Sequence, residues 1–148
     1  MIKNANIAEL FGELIVFFNG VEKLALTIKE DIVKKGRDAI IIDREVSSSI
    51  KSVVEKKIDE IKKLYKEKIN IINSLDIDKK NKEDIVKDIN NAILSLELYK
   101  TAAQHVLNSE KNIVETSYEH FKEKYNNYII LNRVVIGRLG TYMHRKAA

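Results

Sequence analysis

Residues 46–72 read VSSSIKSVVEKKIDEIKKLYKEKINII. Val46, Ile50, Val53, Val54, Ile58, Ile61, Leu64, Tyr65, Ile69 and Ile72 step mostly by three and four. Lys51, Glu55, Lys56, Lys57, Asp59, Glu60, Lys62 and Lys63 fill the positions between. An apolar stripe at that period with charge on the opposite side is an amphipathic helix, and its length predicts a helical bundle or coiled coil. With Asp43 or Ser47 as the cap, this segment is expected to run over 43–73.

The same period extends in both directions. Upstream, Ile7, Leu10, Phe11, Leu14, Phe17, Phe18, Val21, Leu24, Ala25, Ile28 and Ile32 form one stripe. They predict a helix over 6–34, with Asn6 as N-cap and Gly36 behind Lys34 and Lys35 as its terminator. Ala39–Ile42 is a short apolar connector. Downstream, the polar stretch 73–82 is a break with Asp78 or Asn81 as the next cap. A third segment is expected over 82–138, where Gly137 and Gly140 end the periodic region. The steps Tyr99–Ala103–Leu107 are four and four, a stutter that marks a bend or break near Asn108.

The chain has 148 residues, no proline and no cysteine, and only five glycines. That length suits a single domain. Absence of proline permits long uninterrupted helices. Absence of cysteine excludes a disulfide framework and a zinc–thiolate site. The expected fold is all-α: an elongated antiparallel hairpin or bundle of three to four long helices, coiled-coil-like. Leu14–Phe18 is too short for a signal-peptide core, and nothing approaches the ~20 apolar residues of a membrane span. The expected location is cytoplasmic.

No catalytic constellation is present. His105, His120 and His144 lack metal-ligand spacing. Asp76-Ile77-Asp78 lacks the glycine and glutamate of a calcium loop, having Asn81 and Lys87 there. Gly137–Gly140 is not a phosphate loop. An enzyme, a metal and a cofactor are therefore not expected.

The far end is unusual. After Glu123 there are five cations and no carboxylate, among them Lys124, Arg133 and Arg138, and the same basic tail, 124–148, is densely apolar. Apolar positions 128–131 and 134–136 are wider than one stripe needs, which argues for burial on two sides. A third segment unbroken from 82 would reach ~80 Å at 1.5 Å per residue, beyond what a 30-residue neighbour can cover. The excess must protrude, fold back or dock. The candidate partner-binding residues are Tyr118, Phe121, Tyr125, Tyr128, Leu131, Val135 and Leu139, flanked by Ile129 and Ile136. Burial within the chain's own core, or against a second copy as a homodimer, are the alternatives.

Arg37-Asp38-Ala39-Ile40-Ile41-Ile42-Asp43 is followed by Val46 and Ile50, three and seven positions on, and then by Lys56 and Lys57. This segment resembles the start of the second helix of FlgN-like proteins, the export chaperones of flagellar hook-associated proteins. Asn108 to Asn112 is similar to the Asn-bearing start of that family's last helix. The resemblance implies a chaperone that covers the C-terminal helices of hook-associated proteins with its last helix and delivers them to the export apparatus. The rivals are a structural coiled coil acting as an obligate homo-oligomer, and a basic adaptor for a membrane surface or nucleic acid. Five cations over 25 residues is a modest field, and the carboxylates of the earlier helices argue against nucleic acid. No membrane partner is expected.

Overall fold

Four stripes give four helices. The computed structural model describes residues 4–32, 44–108 and 114–147. Helix α1 is Asn4–Asp31, α2 is Arg44–Asn73, α3 is Lys79–Asn108 and α4 is Val114–Ala147. No strand occurs among the described residues. The all-α bundle read from the periodicity is the observed architecture.

Consecutive helices run antiparallel. Helices α4 and α3 pack closely, as do α1 with α4 and α2 with α3, whereas α1 and α2 touch lightly. The order round the bundle is therefore α1, α4, α3, α2, with one loosely closed seam. The core positions explain the tight seams. Ile7, Phe11, Leu14, Phe18, Val21, Ala25, Ile28 and Ile32 are all buried on α1. On α3 the main series is Ile85, Ile89, Ala92, Leu96, Tyr99, Ala103 and Val106, with Ile93 and Ala102 buried beside it. Both sets alternate steps of four and three without a fault, the spacing that lets side chains interdigitate between nearly antiparallel helices.

The break at 73–82 is a tight turn. Ser74 N donates to the carbonyls of Asn70 (3.2 Å) and Ile71 (3.1 Å), and Lys82 Nζ donates to Asn73 O at 3.1 Å. A cation thus meets the free carbonyls at the end of α2. Of the two expected caps, Asp78 is used: its Oδ1 accepts from Lys80 N at 2.8 Å, and α3 starts three residues before 82. Leu75 is 2% exposed, so the turn itself closes one end of the core.

The break expected near Asn108 is present, with α3 ending at Asn108 and α4 starting at Val114; the unbroken third helix, its end at the glycines and the Asn6 cap need correction. Helix α3 folds back beside α4, so the length mismatch disappears: the four helices have 28, 30, 30 and 34 residues. The last helix also continues past Arg138 through Gly137 and Gly140 to Ala147. Each glycine costs about 1 kcal/mol relative to alanine. That cost is outweighed by burial of Leu139 and Tyr142, at roughly 1.5–3 kcal/mol per large apolar side chain. Finally, α1 begins at Asn4, so Asn6 lies inside its first turn. The expected terminator Gly36 and connector Ala39–Ile42 lie outside the described residues.

A Cβ placed on Gly20 or Gly140 would meet no atom within 4 Å, and neither has positive φ. Close packing does not require glycine at either position. Gly20→Ala and Gly140→Ala are each expected to raise stability by up to about 1 kcal/mol, measured as a higher urea midpoint at unchanged slope.

Candidate functional site

Helix α4 carries nearly all the residues singled out from the sequence, and most of them are core. Phe121, Tyr128 and Leu139 are 0% exposed, and Val135, Tyr125 and Ile129 are also buried. Leu131 and Ile136 are half-buried and packed against the same core. The side chain of Tyr118 is outside the described residues. The stripe is covered because α3 returns along it. The Tyr99 ring lies nearly parallel to those of Phe121 (centroids 5.2 Å apart) and Tyr128 (6.3 Å). The buried members bind α3 and α1 and form no surface, whereas Leu131 reaches an open cleft. Putting a charge at the centre of that stack has a definite consequence. Tyr128→Asp should unfold the bundle, because an unpaired carboxylate in an apolar layer has no partner. Loss of the helical circular dichroism signal at 25 °C is the readout.

Below the stack lies a polar layer. Tyr128 OH is 2.6 Å from Tyr65 OH, and Tyr65 OH donates to Asn132 Oδ1. With the Tyr65 proton so used, Tyr128 is the donor between the two hydroxyls. Asn132 Nδ2 donates to Phe18 O at 3.0 Å and to Glu22 Oε1 at 3.2 Å. Glu22 in turn pairs with exposed Arg133 at 3.4 Å. Three helices, α1, α2 and α4, are joined at one level by side chains whose polar atoms are all satisfied. Tyr99 OH adds a bond to Ala25 O at 3.3 Å.

Burial holds the Tyr65, Tyr99 and Tyr128 hydroxyls well above the ordinary tyrosine range, because a phenolate there would be stripped of water. In the unfolded chain the same groups ionise near pH 10. Above that pH the unfolded state binds fewer protons than the folded state, so stability falls as pH rises. The expected slope is about 1.4 kcal/mol per pH unit for each of the three tyrosines, beginning near pH 10. Urea midpoints between pH 8.5 and 11.5 check this, and Tyr65→Phe should remove about a third of the tyrosine contribution to the slope.

The apolar residues left open are different ones. Leu94 is 63% and Leu98 54% exposed on α3, and Ile130 is 60% and Val134 44% exposed on α4. Leu94, Leu98, Ile130 and Leu131 line a shallow, open cleft of about 430 Å³, rimmed by Asn91, Ser95 and Asn127. On α4 the same face continues through Val134 to Gly137, Arg138, Thr141 and Tyr142. From Asn91 to Leu98 on α3 and from Asn127 to Val134 on α4, the residues on this face are uncharged, and Arg138 bounds it one turn further on. In a chain whose residues are 32% charged, this is a marked depletion.

The opposite edge of α3 shows the contrast. There Lys62 pairs with Glu97, Lys100 with Asp59 at 2.7 Å, and Gln104 with Glu55 at 2.7 Å, lacing α3 to α2. At the far end of the cleft Arg138 is tied to Asp88, to Asp84 at 3.6 Å and to Tyr142 OH at 3.3 Å. The hydrogen bond to Asp88 is the main reason its guanidinium is held above its usual range.

Sequence reasoning saw that 128–131 and 134–136 were too wide for one stripe; of the residues it named, Leu131 lines the cleft while Phe121, Tyr128, Val135 and Leu139 are core. Ile130 and Val134 are the outward pair. Leu94 and Leu98 carried a signal as well: they sit off the core series Ala92–Leu96–Tyr99. Among the described residues no group of three His, Asp or Glu is placed to hold a metal ion, and no helix is long and apolar enough to cross a membrane. No family model, curated protein or solved structure matches this chain.

Proposed function

We propose that this protein binds a helix of a partner protein in the groove between α3 and α4. The observation that carries the reading is the absence of charge from a two-helix face that exposes Leu94, Leu98, Ile130 and Val134. Loss of charged residues from a contiguous patch is the compositional mark of the centre of a protein interface. An anionic lipid or nucleic acid would select cations there instead.

Size decides the kind of partner. The uncharged strip is about 10 Å long at 1.5 Å rise and about 20 Å across two helices, hence roughly 200 Å². A stable contact between two folded bodies takes roughly 800 Å² from each. A second copy seated on this face alone would be undersized. One amphipathic helix, about 10 Å in diameter, fits between two others and buries its apolar stripe against both. The incoming stripe must itself be free of charge, since an unpaired ion set against these leucines would lose its water.

The resemblance to FlgN-like chaperones supplies the leading version: the bound helix is the C-terminal helix of a hook-associated protein, kept from self-assembly until export. Covering a client's apolar helix withdraws it from polymerisation by mass action. The α3–α4 face then takes the role expected of the last helix alone.

The test uses fluorescein-labelled C-terminal helical peptides of hook-associated proteins, with binding read by anisotropy. Leu94→Asp and Ile130→Asp should each weaken binding at least tenfold, equivalent to about 1.4 kcal/mol. Helicity and melting temperature should stay near wild type, because both side chains are more than half exposed. Binding should change little between about 50 and 200 mM salt. Equal affinity in wild type and both variants would overturn the docking site, and light scattering showing only a dimer that these variants dissociate would favour the homo-oligomer instead.

A further inference from the structure

The core stripe of α4 is Phe121, Tyr125, Tyr128, Asn132, Val135, Leu139 and Tyr142, again alternating steps of four and three. A strict repeat of this kind is degenerate. Moving one helix along another by a heptad lays core residues over core residues again, so the apolar pattern alone specifies the face and leaves the axial position open. Something must break the tie. Among the described residues Asn132 is the one polar side chain at 0% exposure. Its amide needs Phe18 O and Glu22 on one side and the Tyr65 hydroxyl on the other. Only one axial setting of α4 provides all three.

Asn132 also sits between the exposed residues that α4 gives to the groove. Ile130 and Val134 lie two positions either side of it, and Leu131 is adjacent. We infer that Asn132 is a positioning residue for the docking groove: by fixing the register of α4 against α1 and α2, it holds Ile130 and Val134 opposite Leu94 and Leu98. The inference rests on the docking reading for its binding consequence, and on the hydrogen-bonded layer alone for its structural one. A heptad slip of α4 would bring Asn127 or Thr141 to the place of Val134 and Glu123 or Gly137 to that of Ile130, interrupting the apolar floor. A buried asparagine is best attested in this use, fixing alignment at a cost in stability.

The chain has no cysteine, so two introduced ones are its only thiol labelling sites. Lys23→Cys on α1 and Asn126→Cys on α4 are exposed and stand off the groove. With nitroxides attached, the full chain should give one narrow distance distribution. Adding Asn132→Leu should leave the protein helical and broaden or split that distribution, since a slip of one heptad moves a label by about 10.5 Å. Without labels, the same substitution should weaken the anisotropy-measured affinity for the hook-associated peptide at least fivefold.

A single narrow distance in Asn132→Leu would overturn the inference, and so would a broadened distance with unchanged affinity. If Asn132→Leu does not fold, Tyr65→Phe serves in its place. It keeps the ring and removes the donor to Asn132 together with the acceptor for Tyr128 OH, and a narrow, unshifted distribution there overturns the inference equally. Failure of the wild-type chain to bind the peptide would instead sink the docking reading, an outcome separable from the label distances.

Discussion

The return of α3 along α4 is the contact on which the rest of the molecule depends. Tyr99 lies flat against Phe121 and Tyr128, and with it α3 covers the apolar stripe of the last helix. Three consequences follow from that one packing. The tyrosines become structural members of the core. The surplus apolar residues of both helices, pushed off the core stripe, emerge side by side as a groove. And α4, held from behind by α3, can offer its other flank to α1 and the far corner of its core to Tyr65 of α2.

Charge and grease are distributed by seam. Where α2 meets α3, ion pairs and an amide–carboxylate bond line the edge. Exposed pairs of this kind contribute little energy each, but they make that edge costly to cover with an apolar partner. Where α3 meets α4, the edge has asparagine, serine and leucine, which need not be stripped of a charge before something docks. The two edges of a single helix therefore have opposite affinities. This asymmetry distinguishes a binding face from the ordinary scatter of exposed apolar residues, such as Val16 on α1 or Val53 on α2.

Much of the fold was legible because a bundle is written in its spacing. The stripes of α1 and α2, the break at 73–82 and a break near Asn108 are features the structure contains, although the α3 core passes from Ala103 to Val106 without a stutter. The end of α4 was misread because glycine weakens a helix locally, whereas Leu139 and Tyr142 secure it through tertiary burial that no local signal reveals. Most of the candidate residues proved to be core for a related reason. Periodicity says which side chains share a face but not which neighbour covers it, so Tyr128 and Ile130 looked alike until α3 was placed. Asn132 was invisible in the same way: one polar letter in an apolar stripe gains meaning only when Phe18, Glu22 and Tyr65 arrive from elsewhere in the chain.

The light contact between α1 and α2 has a bearing on how the chain is made. Helix α1 finds its main support on α4, and the bond from Asn132 to Phe18 spans 114 positions of sequence. During synthesis the first helix leaves the ribosome long before the last one exists. It must wait, apolar stripe uncovered, while α2 and α3 form their hairpin beside it. Long-range closure of that sort is slow and leaves the nascent chain vulnerable to association until translation ends. A protein proposed to shield the helices of others thus passes its own infancy with a helix in need of shelter.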